Sequence, residues 1–242
     1  MVNLLDSHTH TIVSGHAYGT IDEMARYASE HDVKLIAFTE HGPAIENAPE
    51  RIYFGNFAIL PREMYGIRVR FGVELNILDY DGTIDLPERE LKKQDLCIAS
   101  IHVNCYDAGT AAQNTNAYVK CLENPYVNII GHPDDGRVPV DYETLVAAAK
   151  ENHKLLEVNN HSLRPTSVRF DGAKDNLRRM LELCMEYNQP VIMDSDAHFM
   201  NSIGDTQFTM PLIKELAFPE ELIVNTDLEK YFEYCPLHEW EK

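Results

Sequence analysis

Short apolar runs alternate along this chain with stretches in which apolar positions recur at helical spacing. Runs of the first kind read as buried strands, and stretches of the second kind as amphipathic helices. The pattern predicts strands at residues 3–6, 35–38, 69–73, 96–101, 127–130, 155–159 and 191–193. Helices are expected at 21–31, 110–122, 142–152 and 175–187, with two more near 211–216 and 227–234. In the first helix Met24, Tyr27 and Ala28 share a face, and Thr20 is placed to cap the N-terminus. Residues 56–65 also read as helical, although Pro61 suits a first turn better than an interior. Asp81-Gly82 within 79–83 predicts a tight hairpin turn, because this pair tolerates positive φ.

Strand followed by helix, repeated, is the pattern of βα units around a parallel sheet. Seven strong strands suggest an α/β barrel with irregular closure. The run Leu222-Ile223-Val224 makes only a weak eighth unit. A doubly wound open sheet is the alternative. The length of 242 residues suits one barrel domain spanning 1–242.

Charge narrows the partners. The net charge of −18 speaks against a nucleic-acid surface and against binding to anionic membranes. An anionic substrate would then need local positive charge. Three bound divalent cations would supply it and bring the total to about −12. The five cysteines include no Cys-x-x-Cys pair, which fits reduced thiols in a cytoplasmic protein. No apolar run approaches a membrane span and the N-terminus lacks a basic region, so neither a span nor a signal peptide is expected.

The polar residues at the strand ends carry the chemistry. Asp6-Ser7-His8-Thr9-His10 closes the first strand, and alternate residues of an extended chain share a side. Two imidazoles can therefore face one metal ion, with His16 in the following loop. His41 ends the second strand, Glu74 the third, His102 the fourth and His132 the fifth. Asp196 and His198 follow the seventh. In parallel barrels the strand C-termini form one rim, where active sites are built. His8, His10, His16, His41, Glu74, His102, His132, Asp196 and His198 make nine candidate ligands, too many for one ion. They suit three ions with a carboxylate bridging two of them. Nitrogen and carboxylate donors without thiolate favour zinc, manganese or iron in an open catalytic site. Glu40 is placed to orient a neighbouring imidazole. His161 lies on the same rim and is a candidate for substrate contact or proton transfer. His31, His153 and His238 take no functional assignment.

These ordered motifs resemble those of the PHP superfamily, named for polymerase and histidinol phosphatase. The segments concerned are Asp6 to His10, Thr39-Glu40-His41, Gly72-Val73-Glu74, Ser100-Ile101-His102, Gly131-His132-Pro133 and Ser195-Asp196-Ala197-His198. The compact length and Asn159-Asn160 look most like its YcdX-type phosphatase branch. The resemblance implies a distorted TIM-like barrel of about seven βα units with a trinuclear metal site, zinc being the first candidate. It implies one ion on His8, His10, Glu74 and Asp196, and a second on Glu74, His102 and His132. A third would take His16, His41 and His198.

The expected activity is hydrolysis of a small phosphate monoester by a metal-bound hydroxide bridging the ions that Glu74 links. Glu74, Asp196 and His161 are the catalytic candidates, and Arg164, Arg169 and Asn160 the substrate contacts. A histidinol-phosphate phosphatase or a phosphodiesterase or nuclease of the same superfamily is the enzymatic alternative. A non-catalytic metal-binding regulatory domain is the other. Substrate identity and oligomeric state stay open.

Overall fold

The computed structural model describes residues 2–238. Its strands are β1 (Leu5–Thr9), β2 (Leu35–His41), β3 (Glu63–Met64), β4 (Ile67–Asn76), β5 (Cys97–Ser100), β6 (Ile129–Ile130), β7 (Leu155–Asn159) and β8 (Val191–Asp194). Its helices are α1 (Ile21–Glu30), α2 (Arg51–Phe54), α3 (Glu88–Leu91), α4 (Ala111–Leu122), α5 (Tyr142–Glu151), α6 (Phe170–Tyr187), α7 (Met210–Glu215) and α8 (Leu228–Tyr234). The strands pair in the order β1-β2-β4-β5-β6-β7-β8, all parallel, with β3 added antiparallel to β4. Parallel neighbours follow chain order without reversal, unlike a doubly wound sheet. The two ends of the series meet, so the sheet is a nearly closed, distorted TIM-like barrel of seven parallel strands.

Closure between β1 and β8 uses side chains in place of a ladder. At the base, the Asn225 amide accepts from Met193 N–H at 2.7 Å and donates to the carbonyls of Met193 and Leu5 at 2.7 and 3.2 Å. Higher up, Asp194 accepts from the Ser7 N–H and hydroxyl, while Asp6 accepts from those of Ser195. At the top, His10 N–H donates to Ala197 O at 2.9 Å. The weak run at 222–224 makes a single bridge, Ile223 to Val191, and the Asn225 that follows it takes the place of an eighth-strand ladder.

Two packing layers follow from the period-2 alternation of strands. Ile36 and Phe38 pack outward with Met24 of α1, whereas Leu35 and Ala37 face inward with Leu5, Ile98, Ile129, Leu155 and Ile192. The inward positions are mostly apolar towards the strand N-termini, with Arg70 on β4 the buried exception. Continuing the same alternation upward reaches His41 on β2, Glu74 on β4, Glu157 on β7 and Asp194 on β8. On β2, β7 and β8 one face thus builds an apolar lower interior and a polar upper one, whereas β1 shifts register between Asp6 and Thr9, below its ligands. Val224, Tyr231 and Cys235 from the C-terminal segment close the bottom.

The helices start where their caps predict. Thr20 and Glu23 form a capping box on α1, as Thr110 and Gln113 do on α4. The helix expected at 56–65 does not form. A short 3-10 turn at Phe57–Ile59 ends at Leu60, which is extended (φ −84°, ψ 144°). A residue before proline is driven from the helical region, and Leu60 precedes Pro61. The chain then turns through β3. The turn at 79–83 is as expected: Ile77 and Ile84 pair antiparallel, with Gly82 at φ +74°. α6 begins earlier than expected, but Asp171 and Gly172 are non-helical, so regular helix runs only after Gly172. Among the described residues no helix is long and apolar enough to cross a membrane.

Candidate metal centre

The strand C-termini converge on the carboxylate of Glu74, which is 1 % exposed. His132 Nε2 lies 2.9 Å and His102 Nε2 3.2 Å from Oε1. His41 Nδ1, His8 Nε2 and His10 Nε2 lie 2.7, 3.4 and 3.5 Å from Oε2. Asp196 approaches from the other side, its Oδ1 3.3 Å from His10 Nε2 and 3.8 Å from His8 Nε2. His198 Nδ1 is 3.5 Å from the same oxygen. His16 closes the row at the surface, its Nε2 3.0 Å from His198 Nε2. All nine candidate ligands therefore gather at one end of the barrel.

Three subsets bring one donor atom each within 4.8 Å of one another: His8, His10 and Glu74; His41, Glu74 and His102; and His10, His41 and His198. His41 thus sits between two groups. The ligand sets that the resemblance implies place it with His16 and His198 alone.

The donor atoms are aimed but unsatisfied. His8 Nε2, His10 Nε2, His41 Nδ1, His102 Nε2 and Glu74 Oε2 are buried and make no hydrogen bond. A buried polar atom left without a partner costs about 1–3 kcal/mol. Five such atoms around one point, all of metal-ligating type, fit divalent cations. His132 and Asp196 hold φ of +27° and +54°, a strained region for non-glycine residues.

A supporting layer fixes the ring orientations. Glu157 Oε1 accepts from His8 Nδ1 at 2.6 Å, and its Oε2 accepts from the His132 N–H at 2.6 Å. Asn76 Oδ1 accepts from His102 Nδ1 at 2.7 Å, and Asp85 holds Asn76. Such contacts fix the His8 and His102 rings with their opposite nitrogens aimed at Glu74. Glu40 acts at one remove: it accepts from the Ser14 hydroxyl at 2.6 Å, and that oxygen pairs with His10 Nδ1 at 3.1 Å.

Electrostatics follows the same arrangement. Burial would raise Glu74, but the imidazoles of His102, His8 and His41 hold it well below the usual carboxylate range. Burial is likewise overcome at Asp196, by His8 and Arg169. Both carboxyls are thus ionised and ready to bind cations. Burial pushes His10 well down and His198 to about 4, keeping these rings neutral near pH 7. His8 goes the other way. Burial lowers it, yet the Glu157, Glu74 and Asp196 carboxylates raise it well above its ordinary value.

Above these ligands lies a cleft of about 390 Å³. His161 lines it with its ring 5.8 Å from that of His198, and burial lowers its pKa. Arg169 also lines it, with Nη2 2.5 Å from Asp196 Oδ2. Arg164 is half-buried and is not among the cleft residues. Asn160 is buried, and its side-chain oxygen accepts from the N–H groups of Phe208 and Thr209 at 2.9 and 3.2 Å.

Two residues here escaped the sequence reading. Glu157 interrupts an otherwise apolar run, Leu155-Leu156-Glu157-Val158, and that interruption was the available signal. Arg137 lines the cleft from the loop after β6, and nothing local marks it.

A parallel barrel carrying clustered imidazoles and carboxylates on its C-terminal rim defines a metal-binding barrel with candidate multi-metal clusters. The chain belongs to the PHP family: the PHP domain matches residues 6–163. It is 41% identical over 231 residues to a "Probable phosphatase" of Acetivibrio thermocellus, covering 96% of this chain and 94% of that one. It is 42% identical to a "Probable phosphatase" of Caldicellulosiruptor bescii, covering 97% and 96%. Among solved structures it resembles histidinol phosphate phosphatase from Lactococcus lactis, complexed with zinc, L-histidinol and phosphate. That match has TM-score 0.60 at 19% identity and covers 90% of this chain and 95% of the other. A chain of an archaeal ribonuclease P complex with mature tRNA gives TM-score 0.58 at 18% identity, covering 96% and 89%.

Proposed function

We propose that this protein is a metal-dependent phosphoesterase that hydrolyses small phosphate monoesters at a centre of three divalent ions. Zinc is the first candidate, with manganese or iron as alternatives. The observation that carries this reading is the set of buried, unpartnered imidazole and carboxylate atoms around Glu74. His8, His10, Glu74 and Asp196 would hold one ion, and Glu74, His102 and His132 a second. The third would lie on His16, His41 and His198, with His41 near enough to Glu74 to be shared. Bound ions there would neutralise phosphate oxygens and bring the pKa of a coordinated water towards neutrality.

The chain's own groups do the remaining work. Arg169 holds Asp196 Oδ2, so that Oδ1 faces the imidazoles. Its other N–H groups are available to a phosphate oxygen in the cleft. His161 carries a proton to or from the ester oxygen on a ring nitrogen. Ile45 and Val103 line the cleft and limit water around the ester. Asn160 holds the 208–209 backbone through its side-chain oxygen. The relatives named as phosphatases along nearly their whole length support one catalytic domain over 1–242. Five free cysteines accord with a cytoplasmic setting, and the motif set supports the YcdX-type branch.

The fold match to the Lactococcus lactis enzyme favours a second reading, histidinol-phosphate phosphatase. The ribonuclease P match makes a phosphodiesterase a third, against which the charge of −18 weighs. Phosphate release should be measured on histidinol phosphate, a chromogenic monoester and single-stranded DNA, before and after chelation. Chelator-sensitive release from monoesters is expected. Cleavage of the DNA alone, or no turnover by fully metallated protein, would contradict the proposal.

A further inference from the structure

The cleft contains a cation that the proposed reaction does not use. Arg137 stands in the loop between β6 and α5 and lines the cleft with Arg169. Asp135 grips it at two points, Oδ1 accepting from Nε at 2.9 Å and Oδ2 from Nη2 at 2.6 Å. The Arg137 backbone N–H also donates to Oδ1, at 3.0 Å. Asp135 is 1 % exposed, so the plane of the guanidinium is set from within the protein. A guanidinium has five N–H donors, and this pairing spends two. The rest remain for a ligand.

Depth separates the two arginines. The Arg169 side chain is 10% exposed and touches Asp196, a candidate metal ligand. The Arg137 side chain is 39% exposed, and its ion pair is with Asp135, which is not a candidate ligand. A phosphate seated on the metal ligands would lie beside Arg169, with its leaving group towards the more exposed Arg137. Ile45, Val103 and Val168 give that path an apolar wall suited to a short carbon chain. Placing a pre-oriented guanidinium at the end of such a path favours an anion there and disfavours a cation.

We propose that Arg137 is a specificity-determining residue that binds a second anionic group, a carboxylate or a second phosphate, on the substrate's leaving group. Asp135 is its positioning residue. The inference rests on the phosphomonoesterase reading and narrows it, setting substrates with an anionic leaving group above those with an ammonium.

The test uses the metal-loaded protein and four matched esters: propyl phosphate, and its analogues ending in a carboxylate, a second phosphate or an ammonium. The wild type should favour an anionic analogue over propyl phosphate in kcat/KM by about tenfold or more, consistent with a charge-assisted hydrogen bond. The analogue with the larger advantage identifies the group bound. Arg137→Ala should bring that ratio close to one through KM, with metal content unchanged. Arg137→Lys, which keeps the charge but loses the fork, should restore part of it. A variant that keeps the wild-type ratio, even with all rates lowered together, would overturn the role of Arg137. So would a wild-type preference for the ammonium ester. A fully metallated wild type inert on all four esters would overturn the phosphomonoesterase reading and this inference with it.

Discussion

The two ends of the barrel both bury polar side chains, and they treat them in opposite ways. At the N-terminal end Arg70 is 1 % exposed inside an apolar cluster. Its guanidinium donates to the carbonyls of Cys235 at 2.8 Å and Pro236 at 3.0 Å, to that of Asp95, and to the Tyr231 hydroxyl at 3.3 Å. It also packs over the Tyr231 and Phe232 rings at 5.8 Å. At the C-terminal end, five donor atoms of His8, His10, His41, His102 and Glu74 are as deeply buried but have no hydrogen-bond partner. The lower end is a satisfied polar anchor and contributes stability. The upper end carries a polar penalty that the fold can sustain only because the rest of the barrel outweighs it. Buried charge alone therefore does not mark a site. Buried ligand-type atoms aimed at a common point and left without a hydrogen bond do.

The contrast can be broken at its strongest point first. Glu74→Gln removes the carboxylate on which five imidazoles converge. It should abolish stable metal binding and cut turnover by roughly 1,000-fold or more. Metal analysis and phosphate release check this together, and a variant with full metal and normal rate would end the bridging role. Arg70→Met should do the reverse. It leaves several buried carbonyls without a donor and should cost about 3 kcal/mol of unfolding free energy. Metal affinity at the rim should stay within about twofold of wild type, the two ends being distant and additive. Denaturant unfolding and metal titration on the same preparation would separate the two effects.

Two smaller changes sharpen the line between ligands and the residues that hold them. Glu157→Gln keeps the shape but loses the charge that pairs with His8. Metal affinity should fall about 10- to 100-fold, with ligands intact and the deficit recovered at higher metal concentration. Ser14→Ala removes one hydroxyl between Glu40 and His10, and should weaken metal binding by about 1 kcal/mol. An Ser14→Ala loss as large as that of Glu74→Gln would show that the loop, rather than the rim, organises the centre.

Most of the architecture was legible because period and position coincide. The seven strand predictions placed each polar motif at a strand end, and in a parallel barrel all strand C-termini share one rim. Asp6-Ser7-His8-Thr9-His10 could thus be set beside Asp196 and His198 from sequence. What escaped depends on contacts between segments far apart. Glu157 lay within a predicted strand, and its role appears only when β7 packs beside β1 and β6. Arg137 enters the cleft because of how one loop folds around Asp135, and no periodicity encodes that. The seam used Asn225, a residue without a pattern, in place of a strand. The helix expected over 56–65 failed for a local reason: Pro61 forces Leu60 into an extended conformation.

If the buried ligand atoms around Glu74 form a multinuclear metal centre that drives phosphate ester hydrolysis, metal filling and turnover rise together. The most direct measurement is a titration of metal-free protein with zinc, manganese or iron(II), following bound metal and phosphate release from a chromogenic monoester in the same samples. The account predicts saturation near three ions per chain, with release appearing as the sites fill. Binding of no more than one ion, or release that is already complete without metal, would contradict it.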